Sequence, residues 1–189
     1  MIRIALVGSI GSGKTFISKL FGYPVFNADE SVSKIYSNNK KIFYKLKKKL
    51  PKFFTDPPIK KEELINTILE NKNSLKIISK IVHPEVRKDL QKFIKKHNKK
   101  KAIVLDIPLL LENKLNKKKD VIIFVKSSNK EVLKRLKKRK NFNNSVFQQL
   151  KKIQLPLDIK KRHSHYLIKN NFKKDSVRKY VKDILNKIL

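Results

Sequence analysis

Cysteine is absent from the 189 residues, which excludes disulfides and thiolate metal sites. No run of about 18 apolar residues occurs, so no membrane-spanning helix is expected. The first apolar stretch, residues 2–7, is too short for a signal peptide, and a cytoplasmic protein without membrane contact is the expectation. Acidic residues are scarce, 15 against 48 basic ones, for a net charge of +33. Arginine is scarce too: six of the basic residues, against 42 lysines. A basic surface that reads nucleic acid usually concentrates arginine and aromatics. Here the lysines lack aromatic interleaving and run with Asn through linkers such as residues 38–41 and 113–119. A compositional bias accounts for them, and a nucleic-acid partner is not expected. The positive field still draws anionic nucleotides. With 40% hydrophobic residues, no internal repeat and this length, one domain and a monomer or weak homo-oligomer are expected.

Glycine is nearly missing as well. Of only four glycines, three fall within Gly8-Ser9-Ile10-Gly11-Ser12-Gly13-Lys14-Thr15, a full match to the phosphate-binding pattern G-x-x-x-x-G-K-[ST]. Gly8, Gly11 and Gly13 let successive backbone N–H groups point at phosphate oxygens. Lys14 reaches the β- and γ-phosphates, and the Thr15 hydroxyl is placed to ligate Mg²⁺. An apolar strand-like run precedes the loop, and residues 15–21 space their apolar members as a helix does. That order sets the loop at a helix N-terminus, where the dipole favours anions.

Strands are predicted at residues 2–7, 24–27, 102–105, 121–125 and 166–168. Residues 31–98 read as three or four helices, with Pro84 expected to end or start one of them. Helices are further expected near 129–138 and 145–154, and at the C-terminus with Asp175 or Ser176 as N-cap. The alternation predicts an α/β fold of the P-loop type: a five-stranded parallel sheet flanked by helices. A core of about 1–30 and 100–189, a helical substrate subdomain of about 31–99 and a lid of about 135–160 make up the single domain.

Beyond the loop, Asp29 stands past the carboxyl end of the second strand, where ligands bind in open α/β sheets. It can deprotonate or orient a hydroxyl, support Mg²⁺ through water, or cap the following helix. Asp106 ends the third strand and reads either as a Mg²⁺-supporting carboxylate or as a cap before Pro108. Arg135 and Arg139, four apart, share a helix face and suit a lid over transferring phosphates, or a solvated surface. His83, alone beside Pro84, is by itself more readily structural than catalytic. His163 and His165 have no further ligand-type neighbours, and no metal site is expected there.

Taken in order, these segments resemble the dephospho-coenzyme A kinase family. Leu6-Val7-Gly8-Ser9-Ile10-Gly11-Ser12-Gly13-Lys14-Thr15 is similar to the family's L-T-G-G-I-G-S-G-K-S, and Val25-Phe26-Asn27-Ala28-Asp29 to its V-I-D-A-D. Ile81-Val82-His83-Pro84 matches I-x-H-P; Asp106-Ile107-Pro108-Leu109-Leu110 with Glu112 matches D-I-P-L-L-x-E. Arg135, Arg139 and Gln154 meet the lid spacing, and Leu167-Ile168-Lys169-Asn170-Asn171-Phe172 resembles V-I-x-N-x-G. The resemblance implies ATP-dependent, Mg²⁺-assisted phosphorylation of the ribose 3′-hydroxyl of dephospho-coenzyme A. It implies Asp29 as the base, with Lys14 and Arg139 holding the phosphoryl group. ATP would meet residues 8–15, Arg135, Arg139 and Asn170; dephospho-coenzyme A would meet Asp29, His83, Pro108, Leu109 and Gln154; Mg²⁺ would meet Thr15 and Asp106. The chain departs from the family at Ser9 and Phe172, where Gly is usual, at Asn27, where Asp is usual, and at Ser164-His165, where Ala-Asp is usual.

Overall fold

The structure, a computed structural model, describes residues 1–71, 73–138 and 142–189. Strand β1 (Ile2–Gly8) leads through the glycine loop into α1 (Lys14–Leu20), then β2 (Val25–Asn27). Four helices follow: α2 (Ala28–Asn38), α3 (Lys40–Lys49), α4 (Lys61–Glu70) and α5 (Ser74–Lys96). The chain returns through β3 (Ala102–Asp106) and β4 (Val121–Lys126). Helices α6 (Asn129–Lys137), α7 (Asn144–Lys152) and α8 (Leu157–Arg162) precede β5 (Tyr166–Lys169) and α9 (Lys174–Ile188).

All five strands pair in parallel, in the order β2-β3-β1-β4-β5. Continuous apolar runs suit strands covered on both faces, and every residue of β3 is buried. One face packs against α2 to α5 through Ala5, Phe26, Ile103, Leu105 and Phe124. The other packs against α1 and α9 through Ile4, Leu6, Val104, Ile123 and Val125. Parallel pairing gathers the carboxyl ends of β1, β2 and β3 at one edge, and the register sets Asn27 opposite Asp106. Among the described residues, no helix is long and apolar enough to cross a membrane.

Three sequence expectations need correction. Pro84 neither starts nor ends a helix; α5 runs through it for 23 residues. A proline removes one backbone donor, but Pro84 and the Lys80 carbonyl four residues back sit on the exposed side, where water can satisfy the orphan. Meanwhile Ile78, Val82, Val86 and Leu90 keep one buried face continuous across it. The N-cap of α2 is Asn27, whose side chain accepts from Glu30 N–H, so Asp29 lies inside the first turn. The N-cap of α9 is Lys173, without a side-chain bond, rather than Asp175 or Ser176.

Leu6, fully buried at the middle of the sheet, measures how tightly this core is packed. Leu6→Ala should cost about 2–5 kcal/mol in urea unfolding. A loss under about 1 kcal/mol would mean that the cavity collapses freely and the sheet is loosely packed.

Candidate active site

The loop after β1 is shaped by close approach. A Cβ at Gly8, where φ is 149°, would stand 2.5 Å from the Val125 carbonyl oxygen; one at Gly13 would run into the Asn170 side-chain amide. Ser9, at the family's usual second glycine, does not adopt a positive φ, so a side chain is tolerated there. The loop is also held from behind. Asn170 and Ser127 both donate to the Ser12 carbonyl, at 2.8 and 2.9 Å. Asn170 thus sits behind the loop, bonded to its backbone, and does not line the cavity in front of it.

That cavity, about 490 Å³, is lined by Ile10, Gly11, Gly13, Lys14, Thr15, Asp29, Asp106, Pro108 and Arg135, together with Phe16, Leu136 and Lys138. The Lys14 ammonium donates to the loop carbonyls of Ser9 (2.8 Å) and Gly8 (3.3 Å), so the loop curls around its own lysine. Burial pulls the Lys14 pKa down to about 8, against the opposing pull of the Asp106 carboxylate. At the end of β3, Asp106 Oδ2 accepts from the Thr15 hydroxyl (2.5 Å) and from the Asn27 amide (3.2 Å). Burial pushes the Asp106 carboxyl above its ordinary pKa, and the Thr15 hydrogen bond opposes this. Asn27, in place of the family's Asp, therefore serves twice: its oxygen caps α2 and its NH₂ reaches Asp106.

A second cavity, about 370 Å³ and mostly apolar, adjoins the first and shares Ile10, Asp29 and Pro108 with it. His83, Leu109 and Gln154, all expected from sequence to meet substrate, line it. So do Arg87, Asn113 and Ile153, which sequence reasoning missed. Arg87 was discoverable, since it lies one helical turn beyond His83 on the same face. Burial lowers the His83 pKa, and the neighbouring Arg87 charge lowers it further, favouring a neutral imidazole. Arg139, a candidate for the phosphoryl clamp, lies outside the described residues.

Phe172 is the one departure with a backbone cost. Its φ is 62°, in the left-handed region that favours glycine. Two contacts hold it there: its N–H donates to Asn170 Oδ1 (2.8 Å), and the Arg135 guanidinium stacks 4.3 Å from its ring centre. His165, at another departure, accepts the Ile122 N–H through Nδ1 (3.0 Å) and so closes the sheet rather than the site.

In chemical terms, the first cavity can hold a polyphosphate between loop amides, a lysine and an arginine. The second can hold a largely apolar body whose polar end meets Asp29. An anion arriving beside Lys14 must stabilise its protonated form, so binding should take up protons above the free-state pKa of about 8. Calorimetry of a nucleoside triphosphate in buffers of different ionisation enthalpy should show net uptake near pH about 8.5, growing towards one proton per site. Affinity should weaken as pH rises through that range; proton release, or no exchange at all, would contradict a desolvated Lys14.

Comparison with known proteins points to one family. The family model described as dephospho-CoA kinase matches residues 2–175. A dephospho-CoA kinase of Wolbachia sp. subsp. Brugia malayi (strain TRS) is 34% identical over 190 residues, covering 98% of this chain and 97% of the relative. Among solved structures, a protein from Thermus thermophilus superposes with a TM-score of 0.80 at 23% identity, over 100% of this chain and 98% of that one. A dephospho-CoA kinase from Campylobacter jejuni gives 0.66 at 21% identity, over 98% and 96%. At such identities the two structures speak for the fold, while the family match and the Wolbachia relative speak for descent. The chain belongs to the dephospho-CoA kinase family.

Proposed function

We propose that this chain transfers the γ-phosphoryl group of ATP to the ribose 3′-hydroxyl of dephospho-coenzyme A. One observation carries the reading: a loop-lined polyphosphate cavity and an apolar cavity meet at Asp29. A γ-phosphoryl donor on one side and a hydroxyl acceptor on the other would present their reacting atoms at that junction. An acceptor with a nucleotide end and a long, weakly polar arm suits the second cavity, whose lining is mostly Val, Leu, Ile and Pro.

In this reading the loop amides and Lys14 bind the β- and γ-phosphates, and Arg135 and Arg139 neutralise charge on the transferring group. Asp29 accepts the proton of the 3′-hydroxyl as the ribose 3′-oxygen bonds to the γ-phosphorus and the β–γ bridging oxygen departs with ADP. His83, Pro108, Leu109 and Gln154 orient the acceptor. Catalysis is therefore mostly positioning and charge stabilisation.

Mg²⁺ fits the residues present. Its hard-oxygen preference is met by the Thr15 hydroxyl and the Asp106 carboxylate, already in mutual contact. No group of three or more His, Cys, Asp or Glu that could cage a metal occurs among the described residues. Mg²⁺ is commonly held by one or two protein oxygens plus phosphates and water. Bound there, it would neutralise negative charge on the phosphates.

The direct test is ADP release with dephospho-coenzyme A against AMP, shikimate and adenosine at equal concentration. Turnover should be specific for dephospho-coenzyme A; a preference for any of the other three would overturn the acceptor assignment. Asp29→Ala should then lower kcat by about 10²–10⁴-fold, the usual worth of a general base, while the KM for ATP stays nearly constant. A near-native kcat would remove Asp29 from the proton transfer.

A further inference from the structure

Helix α7 borders the apolar cavity through Leu150 and is followed at once by Ile153 and Gln154, which also line it. Yet α7 contains no buried residue. A segment with so little packing opens easily unless its ends are fixed. Its C-terminal end is fixed by an unusual device. The Lys160 ammonium lies 2.7 Å from Glu112 Oε1, and the two side chains are 1% and 10% exposed. The same oxygen accepts the Leu155 N–H at 3.0 Å. Glu112 stands in the turns that follow β3 and carry Pro108 and Leu109; Lys160 sits on α8, which packs against β1. One carboxylate oxygen thus joins the floor of the cavity, the residue next to Gln154 and the strand that bears the phosphate loop.

A buried ion pair is a poor way to add stability, since apolar residues of similar volume serve as well or better. Its value here is directional. A hydrogen-bonded carboxylate sets the position of the Leu155 N–H, which a greasy contact would leave free to slide.

We propose that Glu112 is a positioning residue for acceptor recognition: by gripping Leu155 N–H and Lys160 it anchors the end of α7, so that Leu150, Ile153 and Gln154 close over the acceptor. This rests on the reading of the apolar cavity as the acceptor site. The reacting atoms are not touched by Glu112 itself.

Two double variants test it without leaving a charge unpaired. Glu112→Gln with Lys160→Met keeps an amide oxygen able to accept the Leu155 N–H. Glu112→Leu with Lys160→Met removes that acceptor altogether. The Gln/Met enzyme should keep the KM for dephospho-coenzyme A within about threefold of the parent, and the Leu/Met enzyme should raise it roughly tenfold, the worth of one lost buried hydrogen bond. The KM for ATP should stay unchanged in both. A native acceptor KM in the Leu/Met enzyme, a parallel rise in both KM values, or loss of its folded state in thermal unfolding would each overturn the proposal. Amide hydrogen exchange over residues 150–155 reads the same anchor without substrate and should quicken only in the Leu/Met variant. A parent chain inactive on dephospho-coenzyme A would therefore sink the functional reading while the anchor remained measurable.

Discussion

The buried carboxylate of Asp106 holds the site together. It ends β3, accepts hydrogen bonds from the Thr15 hydroxyl in the first turn of α1 and from the side-chain amide of Asn27, and lies close enough to Lys14 to support its charge. The phosphate loop and the junction of β2 and α2 are thereby tied to β3, which lies between their strands in the sheet though 91 and 79 positions away in sequence. Removing a carboxylate from water is costly, and the hydrogen bonds to Asp106 Oδ2 from Thr15 and Asn27 offset part of that cost. Asp29 inherits its position from this arrangement, because it lies two residues past Asn27 in a helix turn that Asn27 caps.

Around that point the chain divides its tasks between polar and apolar surfaces. The loop, Lys14 and Arg135 face one cavity, and aliphatic residues of α2, α5 and the segment after β3 face the other. Burial disfavours the charged forms of Lys14, His83 and Asp106 alike. In the proposed reaction, a phosphate anion bound beside Lys14 would favour its protonated form. The high net charge adds a general attraction for anions but has no special place in this geometry.

Much of this was readable in the chain itself, for reasons that differ by element. The phosphate loop was legible because its chemistry is local: Gly8, Gly13, Lys14 and Thr15 act within eight residues. The five strands were legible because parallel strands buried on both faces must be apolar throughout, as in residues 102–105 and 121–125. Pro84 misled, since a local rule about proline lost to a long amphipathic face that packs across it. The double use of Asn27 was invisible, because it depends on the register that sets residue 27 beside residue 106. So was the pairing of Glu112 with Lys160, 48 positions apart, and the short helix α8 that carries the lysine. Phe172 shows the limit from the other side: a glycine position is occupied by a bulky residue, and the Asn170 and Arg135 contacts show how it is held.

The most direct test is a crystal structure with dephospho-coenzyme A and a non-hydrolysable ATP analogue bound together. The account predicts the triphosphate in the loop of residues 8–15 and the 3′-oxygen within hydrogen-bonding reach, about 2.6–3.2 Å, of an Asp29 carboxylate oxygen. The ribose 3′-oxygen should lie in line with the bond from the γ-phosphorus to its bridging oxygen. An acceptor whose ribose sits away from Asp29, or a triphosphate seated outside the loop, would contradict it.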